Sequence, residues 1–309
     1  MIDRKSTAAL AGLVVLGLAL RVYETFKVPP LPADALTNWI SIILGLAVVP
    51  IVYLIAHKLT EHQHASLFSA ALATTIPLFG WKVVSQLTHT IALLLFLLSI
   101  LALMYIKELG DYWRALVFLP IIFAFVHVYA LLLLPIFLLY FLFVKLEQKN
   151  FSKDEITFSI VSAICIAAIA SFFTLTPAFL AVVQRYVSLN YYSLSTEAFT
   201  ITKAFAFAGL IPTYLGAFGT YLGLKEKKKS TMLAVAAGAT LLVGISTNII
   251  PVLLGLPYFS LVLASLAGFF YKGLDKKVET LRIKDYRTII ELLAFAIVLF
   301  AGAVHFLSL

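Results

Sequence analysis

ALVFLPIIFAFVHVYALLLLPIFLLYFLFV, residues 115–144, contains no Asp, Glu, Lys or Arg. As one helix, these 30 residues would run about 45 Å, half again the roughly 30 Å hydrocarbon core of a bilayer. The block is therefore either one tilted span or two short ones, and the choice sets the side of the membrane on which every later loop falls. Basic residues decide it, because Lys and Arg gather in cytoplasmic loops. Two spans with the N-terminus inside put 18 of the 23 basic residues in cytoplasmic gaps: Arg4, Lys5, Lys58, Lys107, Arg114, Lys145, Lys149, Lys153, Lys225, Lys227, Lys228, Lys229, Lys272, Lys276, Lys277, Arg282, Lys284 and Arg287. Only Arg21, Lys27, Lys82, Arg185 and Lys203 stay outside. One span would reverse the later loops and leave 7 inside and 16 outside. The block reads as two arms turning at His127, with Pro120 and Pro135 within the arms as kink sites.

Outward from this block, apolar runs place spans near 7–22, 36–56, 65–80, 87–106, 115–126, 128–144, 156–176, 204–223, 231–249, 252–271 and 289–306. The expected architecture is all-α: a polytopic integral membrane protein with about 11 transmembrane helices and one integral domain over 1–309. Composition demands this class. The chain is 62% hydrophobic and 12% charged, with a mean hydropathy of +1.03, against about 25% charged in soluble domains. The net charge of +8 belongs to topology and anionic lipid rather than to nucleic acid. The N-terminus, Arg4 and Lys5 before an apolar run from Thr7 to Leu20, reads as an uncleaved signal anchor. The chain is expected in the plasma membrane, N-terminus cytoplasmic and C-terminus external.

Between the spans, the run KEKKK at 225–229 reads as a cytoplasmic anchor. The sequon Asn150-Phe151-Ser152 falls on the same side and should stay unglycosylated. His57, His62 and His64 are irregularly spaced and read as a solvated turn rather than a metal site. Gly219 and Gly223 form a GxxxG packing signal. Cys165 is the single cysteine, a packing residue in an apolar run. No CxxC, HExxH, GxxxxGK[ST] or DxxxD motif occurs. Mid-span positions are apolar, which disfavours an ion-coupled transporter.

The polar residues that remain gather at the external face. Asp34 lies in RVYETFKVPPLPADALTNW (21–39), Lys82 in a short turn, and His89 at the start of a span. His127 lies at the turn, and Arg185 in a longer segment with Tyr186, Tyr191 and Tyr192, suited either to an interfacial belt or to a binding surface.

Three stretches resemble the membrane core of GT-C glycosyltransferases, which take sugars from polyprenyl-phosphate donors at the external leaflet. LALRVYETFKVPPLPADAL (18–36) is similar to a first helix ending in Arg and followed by a loop with the essential acid, here Asp34. ILGLAVVPIVYLIAHKL (43–59) and the run from Ala65 to Leu103 resemble the second to fourth helices. FAFVHVYALLLLPIFLLYFLF (123–143) is similar to a short helix pair joined at Lys or His. The resemblance covers 1–145 as a GT-C-like core and leaves 146–309 as additional transmembrane helices. The departures are a curtailed loop after Asp34, no carboxylate in SQLTHT (85–90), no WWDxG motif and no C-terminal soluble domain.

The resemblance implies a glycosyltransferase with Asp34 as general base and with Arg21, Lys82, His89, His127 and Arg185 binding the donor phosphate. Asp34, His127 and at least one of Lys82, His89 or Arg185 should then share one external cavity. The expected partners are membrane lipids and a polyprenyl-phosphate sugar. No metal or cofactor is assigned, and a divalent cation has no supporting motif. The other reading, from a different class, is a catalytically silent GT-C-like scaffold or lipid-binding subunit, favoured by the missing second acid. The topology is testable by single-cysteine labelling in a Cys165-free background. A cysteine at Lys227 should react only from the cytoplasmic side and one at Ser193 only from outside; external labelling at 227 would overturn the orientation.

Overall fold

The computed structural model describes residues 4–27, 35–76, 86–175, 210–247, 249–280 and 287–308. In chain order the helices are α1 (Arg4–Lys27), α2 (Ala35–Leu46), α3 (Val48–Thr60), α4 (Gln63–Thr75), α5 (Gln86–Tyr105), α6 (Trp113–Leu116), α7 (Phe118–Val126), α8 (Leu133–Leu146), α9 (Lys153–Leu175), α10 (Leu210–Glu226), α11 (Lys229–Ser246), α12 (Val252–Thr280) and α13 (Arg287–Ser308).

Proline explains where the passes break. Pro50 offers no N–H to the carbonyl one turn back, and the helix hitches at Ala47, whose N–H instead bonds Leu44 O at 3.0 Å. Pro120 separates α6 from α7 in the same way, and Pro135 follows a 3-10 turn over Val128–Leu132.

Ion pairs and hydrogen bonds collect helix ends at one end of the bundle. Lys58 pairs with Glu108. Lys228 pairs with Glu61 at 2.9 Å, Lys227 with Glu147 at 2.7 Å and Lys229 with Glu155 at 2.7 Å. Lys272 pairs with Glu226 at 2.7 Å. Ser6 bonds Gln63 at 3.2 Å, bringing the start of α1 to the same end, and His64 pairs with Glu291 at 3.8 Å, bringing the start of α13 there. The C-terminal ends of α3, α5, α8 and α10 therefore meet the N-terminal ends of α4, α9 and α11. Because α5 and α8 both finish at this end, residues 113–146 travel out and back, as two arms. The sequon serine turns out to be a cap: Ser152 Oγ accepts from Glu155 N at 3.2 Å while Glu155 Oε2 accepts from Ser152 N at 2.7 Å, a capping box that starts α9.

Among the described residues, six helical stretches are long and apolar enough to cross a membrane: Trp39–Thr60, Leu87–Tyr105, Val128–Leu146, Lys153–Phe172, Lys229–Ser246 and Leu254–Thr280. Ser6–Leu20 and Thr288–Ala301 are shorter apolar helices. This corrects the expectation of about eleven full spans. The physical reason is length: the 17 residues of α10 rise about 26 Å and the stretch from Trp113 to Val126 about 21 Å, both short of a roughly 30 Å core. The fold is nonetheless of polytopic membrane type. On α13 the apolar residues Ile289, Leu292, Leu293, Ile297, Phe300 and Val304 form an exposed stripe at helical spacing.

At the centre lies α12, its apolar stretch 83% buried against 28% for that of α9. It packs on α10, α4, α11 and α3. The approach of α10 is set by glycines. A Cβ on Gly216 would lie 2.7 Å from the Leu263 carbonyl oxygen, and one on Gly219 would lie 2.2 Å from that of Leu266. The side chain of Ser69 on α4 donates to Ser265 O at 3.4 Å on another side of α12. Small residues thus let backbones meet where no water competes. Gly219→Ala is expected to cost about 1–3 kcal/mol, the usual penalty of overpacking, read as a fall in the thermal midpoint in detergent. Gly12→Ala, whose Cβ meets nothing within 4 Å, is the control expected to leave that midpoint in place.

Candidate functional site

The opposite end of the bundle carries the His127 turn. His127 is extended, with φ −154° and ψ 137°. Its N–H closes α7 on Phe123 O at 2.8 Å, and its O accepts from Ala130 N at 3.1 Å. Its Nδ1 accepts from Tyr129 N at 3.2 Å, so the imidazole caps the following 3-10 turn as a Ser or Asn would. A nitrogen that accepts cannot carry a proton, which leaves the proton on Nε2 and the ring neutral. Desolvation in its half-buried seat pushes the imidazole down to about 4. The residues on either side, Phe125 and Val128, are each 61% exposed.

Beneath the turn is a chain of rings from four segments. The His127 and Tyr129 rings lie 4.4 Å apart, Tyr129 and Tyr258 6.1 Å, and Tyr258 and His89 5.6 Å. Phe96 lies 5.2 Å from Tyr258 and 6.4 Å from Phe123. His89 and Tyr258 are buried, and neither His89 Nδ1 nor the Tyr258 hydroxyl has a hydrogen-bond partner among the described residues. Polar groups in that state are rare and often functional.

Of the expected site residues, the fold thus brings His89 and His127 to one cluster. Arg21 falls in the last two turns of α1. Asp34, Lys82 and Arg185 lie outside the described residues. The helix ends bordering them do not: Lys27 and Ala35, Ile76 and Gln86, and Leu175 and Leu210 all lie at the end of the bundle that carries His127, because the other ends of their helices belong to the charged network. Tyr258 and Tyr129 were not singled out from the sequence. A tyrosine inside an apolar run gives no periodic signal, and the contact between these two joins residues more than a hundred apart in the chain.

The charged end offers different chemistry. His62, which looked like a solvated turn, caps α4 by accepting from Ala65 N at 3.3 Å and sits 3.1 Å from Asp275. Among the described residues, no group of three or more His, Cys, Asp or Glu side chains could hold a metal ion. An apolar groove of about 220 Å³, lined by Leu54, Leu98, Tyr105 and Leu119 among others, lies toward this end and away from the imidazoles.

No protein-family model matches the chain, and no curated protein matches it. Among solved structures, it is similar to an archaeal oligosaccharyltransferase, AglB from Archaeoglobus fulgidus, solved in complex with an inhibitory peptide and a dolichol-phosphate. The TM-score is 0.57 at 14% sequence identity, over 88% of this chain and 44% of that one. The chain therefore spans less than half the length of the chain it matches, and the likeness establishes a shared fold.

The depressed His127 has a thermodynamic consequence. Below the ordinary imidazole value of about 6.5, the unfolded chain takes up a proton that the native turn refuses until about 4. Stability should therefore fall as pH drops through that window. His127→Asn keeps a capping acceptor but cannot titrate, so its thermal midpoint in detergent should fall less between about pH 7 and about pH 5 than the wild type's. Equal slopes would contradict the neutral seat.

Proposed function

We propose that the protein is a membrane glycosyltransferase that moves a sugar from a polyprenyl-phosphate donor to an acceptor at the external face. The observation that carries this reading is the fold shared with a chain solved with a bound dolichol-phosphate. The charged end is taken as cytoplasmic, because Lys and Arg accumulate there; the N-terminus is then inside, the C-terminus outside, and the His127 end external. Residues 1–309 act as one integral domain of the plasma membrane, 1–145 supplying the GT-C-like core and 146–309 further membrane helices.

In this mechanism Asp34 accepts the proton of the acceptor hydroxyl as its oxygen bonds to the anomeric carbon. The bond from that carbon to the phosphate oxygen breaks, and the polyprenyl phosphate leaves. Arg21, Lys82 and Arg185 supply positive charge to the departing phosphate. The neutral His127 contributes an Nε2–H hydrogen bond, and His89, buried behind Tyr258, supports it from within. The reaction as written assigns no role to a metal.

The absence of a carboxylate in SQLTHT (85–90) favours a second reading, a silent scaffold or lipid-binding subunit on the same fold. One substitution separates them. Asp34→Asn preserves shape and removes the proton acceptor, so turnover of a polyprenyl-phosphate sugar should fall about 10²–10⁴-fold while donor binding persists. Full activity in that variant would overturn the mechanism. No turnover by folded wild-type protein across a panel of lipid-linked sugars would favour the subunit.

A further inference from the structure

We propose that Tyr258 is a positioning residue for the His127 turn: its ring, packed on Tyr129 and joined through Phe96 to Phe123, fixes where the imidazole sits. The relevance to donor binding rests on the reading above, in which His127 contacts the donor phosphate. The positional claim stands on geometry alone.

The backbone by itself holds this turn weakly. A 3-10 segment has poorer hydrogen-bond geometry than an α-helix, and the outer neighbours Phe125 and Val128 are largely exposed. α9 packs on both α7 and the 3-10 segment, and on the inner side Tyr258 connects to the turn twice. It meets Tyr129, on the segment after His127, at 6.1 Å. Through Phe96, at 5.2 Å, it meets Phe123, on the helix before His127, whose carbonyl accepts the His127 N–H. The contacts close a loop around the turn in edge-to-face geometry. Tyr258 is 0% exposed and sits directly after Pro257 on α12, whose apolar stretch is 83% buried, so its ring is a fixed reference for the turn. Its hydroxyl has no hydrogen-bond partner among the described residues, and phenylalanine would carry the same ring without that cost.

The test reads His127 directly by 15N resonances of the histidine-labelled protein in detergent, its signals assigned by their loss in His127→Gln. The wild type should show one fixed tautomer, with Nε2 protonated. Tyr258→Leu should average the two nitrogen signals as the Tyr129 N to Nδ1 bond loosens, whereas Tyr258→Phe should retain the wild-type pattern and melt no lower. If Tyr258→Leu fails to fold, Tyr129→Leu removes the adjoining ring contact without touching α12 and should give the same averaging. A wild-type His127 pattern in the folded leucine variants overturns the proposal, as does averaging in Tyr258→Phe. With a working donor assay, half-saturation in the leucine variants should rise about 10-fold to 10²-fold, the scale of losing about 1 Å of alignment. If no lipid-linked sugar turns over in the wild type, the functional reading fails while the 15N result still decides the role of Tyr258.

Discussion

Charge that cannot enter hydrocarbon organises this molecule. Lys225 to Lys229 look in sequence like a loose basic loop, yet in the fold each charge has its own seat. Lys225 lies 4.3 Å over the Tyr221 ring, Glu226 takes Lys272, and the three following lysines take Glu147, Glu61 and Glu155. The more exposed of these pairs, such as Lys227–Glu147, each contribute little, about 0–1 kcal/mol. Their importance is positional. Helix ends far apart in the chain are pinned to one level, so each pass must begin or finish there.

Among the described residues the ion pairs gather at one end of the bundle, and the His127 end presents neutral polar groups. There a histidine serves as a helix cap, a role that needs an accepting nitrogen and therefore an uncharged ring. Tyr129, Tyr258 and His89 continue inward as an aromatic chain in which, among the described residues, the Tyr258 hydroxyl and His89 Nδ1 have no hydrogen-bond partner.

Close helix packing supports both ends. The α10 to α12 contact is set by Gly216 and Gly219 against the backbone of Leu263 and Leu266, and Gly223 lies against the Phe269 ring. This brings α12 deep enough for Tyr258 to reach under the turn. The GxxxG read from the sequence is part of this contact, although the sequence pattern did not indicate which helix it would face.

Composition and the basic-residue tally were enough to determine the class, the two-arm reading of 115–144, the turn at His127 and the gathering of Lys and Arg at one end. These follow from solvation: charge and turns are excluded from hydrocarbon whatever the tertiary arrangement. The lengths of the passes were less legible, because a hydropathy run does not reveal how far a proline shortens a helix or where a pass stops short of a full span. His89 was visible as a polar residue in an apolar run, but its burial was not. Tyr258 was invisible, since an aromatic in a membrane helix has the same sequence signature whether it faces lipid or a partner. Contacts between residues 89, 129 and 258 depend on which helix faces lie together, and that is decided by small-residue packing across the bundle. Only the tertiary structure supplies it.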